Sequence, residues 1–382
     1  MKRIFYWKIM VFAFCFFLLG NCKVPYDPPL KNGQTNFLVV EGFIDGAAPT
    51  VIKLSRTRMV SNNDTATQIP ELFATVLVED DQNNSYSLGA SGDGTYTSFN
   101  TLNLNRANKY RVRIQTAGGK EYVSDFVPYK VSPDIDEIGW KLKDDGLQIF
   151  VNTHDQNDDT KYYRWEYKET WEFHTTYPTG LIYIPTTNRV VPRSDQVYTC
   201  WRSNNFSSIL IGSSAKLQHD VIEQAPLLYI PPHSQKTTVL YSILVKQYAL
   251  DVDGYNYWEA MRNNTEKIGS IFDPQPNQTI GNIHSVSDAA ELVVGYIGAG
   301  STVVTRHFIK NSEMPQGWNL PSGCETIEVP NIPDSLIFYF TGGYMPISEN
   351  RTPANTILYT SAFSECVDCT LMGTNIKPDF WP

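Results

Sequence analysis

The residues best equipped for chemistry in this sequence are a short acidic run, four late cysteines and a set of alternating aromatics. In His154-Asp155-Gln156-Asn157-Asp158-Asp159, the residues Asp155, Asn157 and Asp159 match the first three ligand positions of an EF-hand calcium loop, and Glu166 falls at the twelfth. Oxygen ligands at alternate positions are what a hard cation such as Ca2+ needs. The sixth position is Thr160, where the sharp turn needs Gly, and the residues around Glu166 read as strand rather than exiting helix. A polar turn between strands is therefore the expectation, with a calcium loop of another kind as the alternative and no other cofactor implied. Tyr163, Trp165 and Tyr167 could stack sugars from one strand face, but the same alternation builds a sandwich core, and core is favoured. His219-Asp220 with Glu223 reads as a surface loop. There is no Gly-x-Ser-x-Gly elbow, no His-Glu-x-x-His and no phosphate loop. No catalytic residue can be named, and the chain is read as non-enzymatic.

Cys200, Cys324, Cys366 and Cys369 form an even set. In an exported chain that favours two disulfides, with three connectivities open. Cys366-Val-Asp-Cys369 also has the short spacing of a zinc site, but Cys200 and Cys324 supply no second close pair. Pairing of Cys366 and Cys369 with the two distant cysteines would staple the C-terminus back onto the body, the arrangement that removes most unfolded-state entropy.

Export is suggested by the first residues. Lys2, Arg3 and Lys8 precede an apolar run from Ile9 to Leu19, too short for the roughly 20 residues of a membrane-spanning helix. Residues 1–21 read as a signal peptide. Leu18-Leu19-Gly20-Asn21-Cys22 resembles a bacterial lipobox, with Asn21 where Gly or Ala is usual. Cys22 is then the lipidated residue, and its several acyl chains anchor stably. An ordinary signal with a buried Cys22 is the alternative. Residues 22–35, rich in proline, read as a tether between lipid and body. Removing the signal takes three positive charges from a chain of net charge −9, leaving about −12. So acidic a protein is a poor candidate for nucleic acid, whose phosphates need Lys and Arg clusters.

The elements that must position these residues are strands. Short alternating segments recur from Phe37-Leu38-Val39-Val40 to Glu121-Tyr122-Val123, with turn residues between them. Residues 36–132 are expected to form an antiparallel β-sandwich of immunoglobulin or transthyretin type. Residues 133–382 are expected to form a second, larger antiparallel sandwich-like domain with the disulfides, one helix and long loops. The aromatic-rich Lys161–Phe173 and Val239–Tyr248 are its long strands. The helix is placed at Gly254–Asn264 behind an Asp253 cap. Ala290–Ile297 and Thr302–Ile309 read as a strand pair turning at Gly298-Ala299-Gly300, and Ser335–Phe340 as a last strand. Thr176–Asp195 and Met345–Thr356 read as loops. The fold class is mainly β, in two sandwich-like domains.

The order of several segments resembles a family of Bacteroidota outer-membrane lipoproteins known as domain of unknown function 4249. They include Leu38-Val39-Val40-Glu41-Gly42, Gly92-Asp93-Gly94-Thr95-Tyr96, Tyr162-Tyr163-Arg164-Trp165-Glu166-Tyr167, the run Tyr241–Leu250, Ile271-Phe272-Asp273-Pro274, and Cys366–Cys369 with Lys377-Pro378-Asp379-Phe380-Trp381. That resemblance implies a lipoprotein of the outer membrane, on its periplasmic or extracellular face, that keeps company with TonB-dependent receptors. It brings no catalytic residues. The function expected from it is an accessory or ligand-capture partner of such a receptor, with a structural or adhesive surface module as the alternative.

Overall fold

Alternation of apolar and polar residues becomes strand register in the described residues from Leu38 to Val131. A computed structural model describes residues 36–57, 69–205, 208–266, 281–318 and 323–382. The first strands are β1 (Leu38–Asp45), β2 (Val51–Arg56), β3 (Ile69–Pro70), β4 (Thr75–Asp80), β5 (Ser85–Ala90), β6 (Thr95–Thr97), β7 (Lys109–Gln115), β8 (Glu121–Ser124) and β9 (Val127–Val131). Every second residue points inward, so Leu38, Val40, Ile52, Leu54, Val76, Val78, Tyr110, Val112 and Ile114 make one core.

Past Pro133 the chain builds a second core. Its strands are β10 (Ile135–Lys143), β11 (Gly146–His154), β12 (Tyr162–His174), β13 (Leu181–Ile184), β14 (Arg189–Pro192), β15 (Thr199–Asn205), β16 (Leu210–Ser213), β17 (Val221–Ile230) and β18 (Leu240–Leu250). The three-stranded sheet β10-β11-β17 lays Ile138, Ile149 and Leu227 against Tyr163, Trp165, Ile243 and Val245 of β12 and β18. The fold is mainly β, with sheets packed face to face, as the strand patterns imply. The aromatics Tyr163 and Trp165 are buried in this core, so they offer no sugar platform.

Helix α1 (Val252–Glu266) follows β18 directly. Its cap is Asp251, whose Oδ1 accepts the Gly254 N–H at 2.8 Å, rather than the expected Asp253. The chain then returns to the first core through β19 (Ile283–Ser285), β20 (Val293–Val294) and β21 (Gly298–Lys310). Ile283, Val293, Ile297 and Ala299 complete that core. Strand β21 serves both halves. Its first residues pair in parallel with β1 and β9, and its remainder pairs antiparallel with β18. The pairings β9-β21-β1-β2-β6-β5-β4-β7-β9 run in a closed circuit, which leaves that ring without a free edge. Phe37–Pro382 is accordingly one unit by its contacts.

Three local readings are corrected. Gly298-Ala299-Gly300 is not a hairpin turn but the start of β21. A Cβ on Gly300 would lie 2.0 Å from the Lys130 carbonyl oxygen, so glycine is needed there for close backbone approach, not for turning. Ser335–Phe340 is not a strand but lies in helix α2 (Pro333–Thr341), which follows β22 (Ile327–Pro330). Pro333 opens the helix and Asp334 sits in its first turn, both N-terminal signals that outweigh the β-like apolar run. The stretches read as loops carry strands: hairpin β13-β14, and β23 (Tyr344–Arg351) paired with β24 (Ile357–Phe363). They join α2 in one small lobe around Val329, Leu336 and Tyr359, with Leu181, Tyr183 and Val190 packed against it.

Both disulfides are formed, Cys200–Cys369 and Cys324–Cys366. The first ties the C-terminal segment to β15 in the second core. The second closes the base of the lobe.

Candidate functional site

Strand alternation has a second consequence on β12 and β18. If Tyr163, Trp165, Ile243 and Val245 face the core, then Arg164, Glu166, Lys246 and Tyr248 face the other way. These residues, with Glu41, Phe43 and Asp45 of β1 and Val51 and Lys53 of β2, line a trough of about 680 Å³ on the outer face of one continuous sheet. Helix α1 forms its other wall with Tyr257, Trp258 and Met261, and Tyr296 closes one side. The volume lies within the range of small-molecule pockets, about 300–1,000 Å³.

The aromatic wall is built by contact between elements. Phe43 meets Tyr248 edge-on with centroids 5.1 Å apart, and Tyr257 stacks on Tyr296 at 5.4 Å. Arg164 lies between two rings, its Cζ 4.3 Å from the centroids of both Tyr248 and Trp258. Arg164 also donates to Glu166 Oε1 at 2.8 Å, while the Tyr248 hydroxyl donates to Glu166 Oε2 at 2.7 Å. Across β21, Lys246 Nζ of β18 lies 3.4 Å from Asp45 Oδ2 of β1. Asp45 is nearly inaccessible and also accepts from the Thr302 hydroxyl at 2.6 Å.

The phenols of the trough stay protonated at neutral pH. Burial pushes the Tyr257 hydroxyl up to about 12, helped by the negative charge of Glu41. Burial, with Glu166 beside Tyr248 and Asp251 beside Tyr296, raises those two hydroxyls further. They act as donors and flat apolar surfaces rather than bases. The described lining contains no histidine and no cysteine. Such a site can orient and shelter a bound solute through ring faces and fixed charges.

The residues singled out in the sequence lie elsewhere. Asp155 Oδ1 accepts the Asn157 N–H at 3.0 Å and Oδ2 accepts the Thr160 N–H at 2.9 Å, so this carboxylate braces its own turn. Burial opposes ionisation of Asp155, but these hydrogen bonds outweigh it and lower its pKa. Asn157 and Asp159 are exposed, and Glu166, the would-be twelfth ligand, points into the trough. Among the described residues no group of three or more His, Cys, Asp or Glu is placed to share a metal ion. His219 is exposed and faces Asp158, whereas Asp220 is buried and accepts from Tyr163 and Ser214. Glu223 lies exposed on β17. Cys22 lies outside the described residues. What the aromatic alternation on β12 concealed was its complement: the polar residues between the aromatics are those that reach the trough.

No curated protein matches the chain. The family described as Domain of unknown function (DUF4249) matches residues 23–306, from the start of the tether through most of β21 and every strand of the trough, and the chain belongs to that family.

Proposed function

We propose that this is a non-enzymatic outer-membrane lipoprotein that captures a small solute in the trough beneath α1 and works as the accessory of a TonB-dependent barrel receptor. The trough is the observation that carries this reading. It is concave, aromatic and edged by fixed charges, the form a binding site takes. The apolar run before Cys22 supports an anchor in the lipid, and among the described residues no helix is long and apolar enough to cross a membrane. A tether from the membrane surface raises the effective concentration near any membrane partner. The TonB-dependent receptor rests on the family resemblance set out from the sequence.

The test is gentle detergent extraction of the native protein after crosslinking in cells, with identification of the proteins and small molecules that co-purify. Recovery of one barrel receptor supports the accessory role. Repeated recovery of none removes it and leaves the adhesive or structural reading in front. One observation favours that second reading. Phe338, Tyr339, Tyr344 and Phe363 form a run of touching rings on the lobe, with Phe338 71% and Phe363 54% exposed. Exposed aromatic surface of this kind suits assembly.

A further inference from the structure

The hydrogen-bonding capacity of the trough is unevenly spent, and this points to the charge of what it holds. Two of its three acids, Asp45 and Glu166, are occupied by the protein itself. Asp45 Oδ1 accepts the N–H groups of Ala47 at 2.9 Å and Ala48 at 3.3 Å, and Oδ2 accepts from Thr302 and faces Lys246. Glu166 has one oxygen on Arg164 and the other on Tyr248. The cations keep donors in hand. Arg164 commits one terminal N–H group to Glu166 out of its five donors, and Lys246 makes a single long ion pair out of three. Glu41 and Lys53, directly opposite each other on β1 and β2, place one charge of each sign at the rim. Unspent donors are therefore at hand at the aromatic end, where Arg164 is already packed against both Tyr248 and Trp258 and loses little freedom on binding.

We infer that the captured solute is a small organic oxyanion with an aromatic or apolar body. Its anionic group is held by Arg164 and Lys246, and its body lies against Tyr248, Tyr257 and Trp258. This rests on the capture reading above and deepens it by naming the ligand class.

Two probes of nearly equal shape separate the inference from that reading. They are 8-anilinonaphthalene-1-sulfonate and its uncharged counterpart N-phenyl-1-naphthylamine, titrated into the chain without its signal and anchor cysteine, residues 23–382. The sulfonate should bind at one saturable site about tenfold more tightly than the neutral probe. Lys246→Gln and Arg164→Gln should each weaken the sulfonate about tenfold, and each should weaken it several-fold more than the neutral probe. Lys246→Gln leaves Asp45 its three other donors, and an unchanged urea-unfolding midpoint shows that this variant is folded. Trp258→Ala should weaken both probes. If both probes bind wild type equally and neither charge variant alters that, the oxyanion inference is overturned while capture in the trough stands. If Trp258→Ala leaves both unchanged, or neither probe saturates, the trough is not the site and both readings fall.

Discussion

Glu169 is the residue whose burial most needs explaining. It sits on the inward face of β12 and is 1% exposed. Lys236 Nζ lies 2.7 and 2.8 Å from its two oxygens, and the Tyr241 hydroxyl donates at 2.8 Å. Lys236 also lies over the Trp171 ring at 5.3 Å. A carboxylate at this depth is tolerable only while paired, so removing the lysine strands a buried charge. Lys236→Met should destabilise the protein by about 3–5 kcal/mol, read from the midpoint of urea unfolding. Adding Glu169→Gln should restore much of the loss, because an amide needs no counter-ion. No recovery in the double variant would mean that Lys236 acts through packing on Trp171. Gln247 is a neutral parallel. It accepts from Trp165 Nε1 at 2.8 Å and donates to the Pro133 carbonyl at 2.8 Å. It thus ties β18 to the chain where it enters the second core.

At the scale of elements, cross-strand charge holds β4 to β7. Glu79 accepts from Arg111 and from Arg113, each at 2.7 Å, across a paired register. Partial burial raises the Glu79 pKa, but the two arginine hydrogen bonds lower it more, so it lies below its ordinary value of 4.5. A carboxyl depressed in the fold stabilises above its unfolded pKa, and that contribution disappears as pH falls through the folded one. Glu79→Gln should therefore cost about 1 kcal/mol at pH 7, after allowance for solvent screening. It should also make the loss of stability between about pH 5 and pH 2 shallower. Thermal melts across that range check both, and an unchanged acid slope would remove Glu79 from the account. The same scale shows where sequence patterns are ambiguous. Short apolar runs such as Ser335–Phe340 suit helix and strand alike. Glycines such as Gly298 and Gly300 signal either a turn or a close approach, and only the partner strand decides which. The strands of the first 130 residues were legible because one face is buried and the other is wet.

For the whole molecule, the two disulfides do different work. Cys200–Cys369 spans 169 residues and Cys324–Cys366 spans 42. The chain-entropy model assigns them about 5 and about 4 kcal/mol. Cys200→Ser with Cys369→Ser should lower the global unfolding midpoint more than Cys324→Ser with Cys366→Ser. The second pair should open chiefly the lobe, seen as faster hydrogen exchange in β22–β24 while β12 and β18 stay protected. Equal exchange across the molecule would show that the lobe is not a separate cooperative unit. Cys22→Ser should shift the protein out of the membrane fraction, and mass spectrometry of the mature N-terminus should show acyl chains on the native protein. An unmodified cysteine there would remove the anchor from the proposed function.

Short-range order alone determined the β class, the positions of most strands and α1, the even cysteine set and the family, because each is written in residue types a few positions apart. The closed strand circuit, the shared use of β21 and the union of two apparent loops with α2 were decided by tertiary structure. The pairing of Cys200 with Cys369 was too. The trough belongs with these. Arg164, Lys246, Asp45 and Trp258 come from four elements, and nothing local marks them as neighbours. Only the sheet that sets β12, β18, β21 and β1 side by side, and the helix folded back over it, brings their charges and rings to one place.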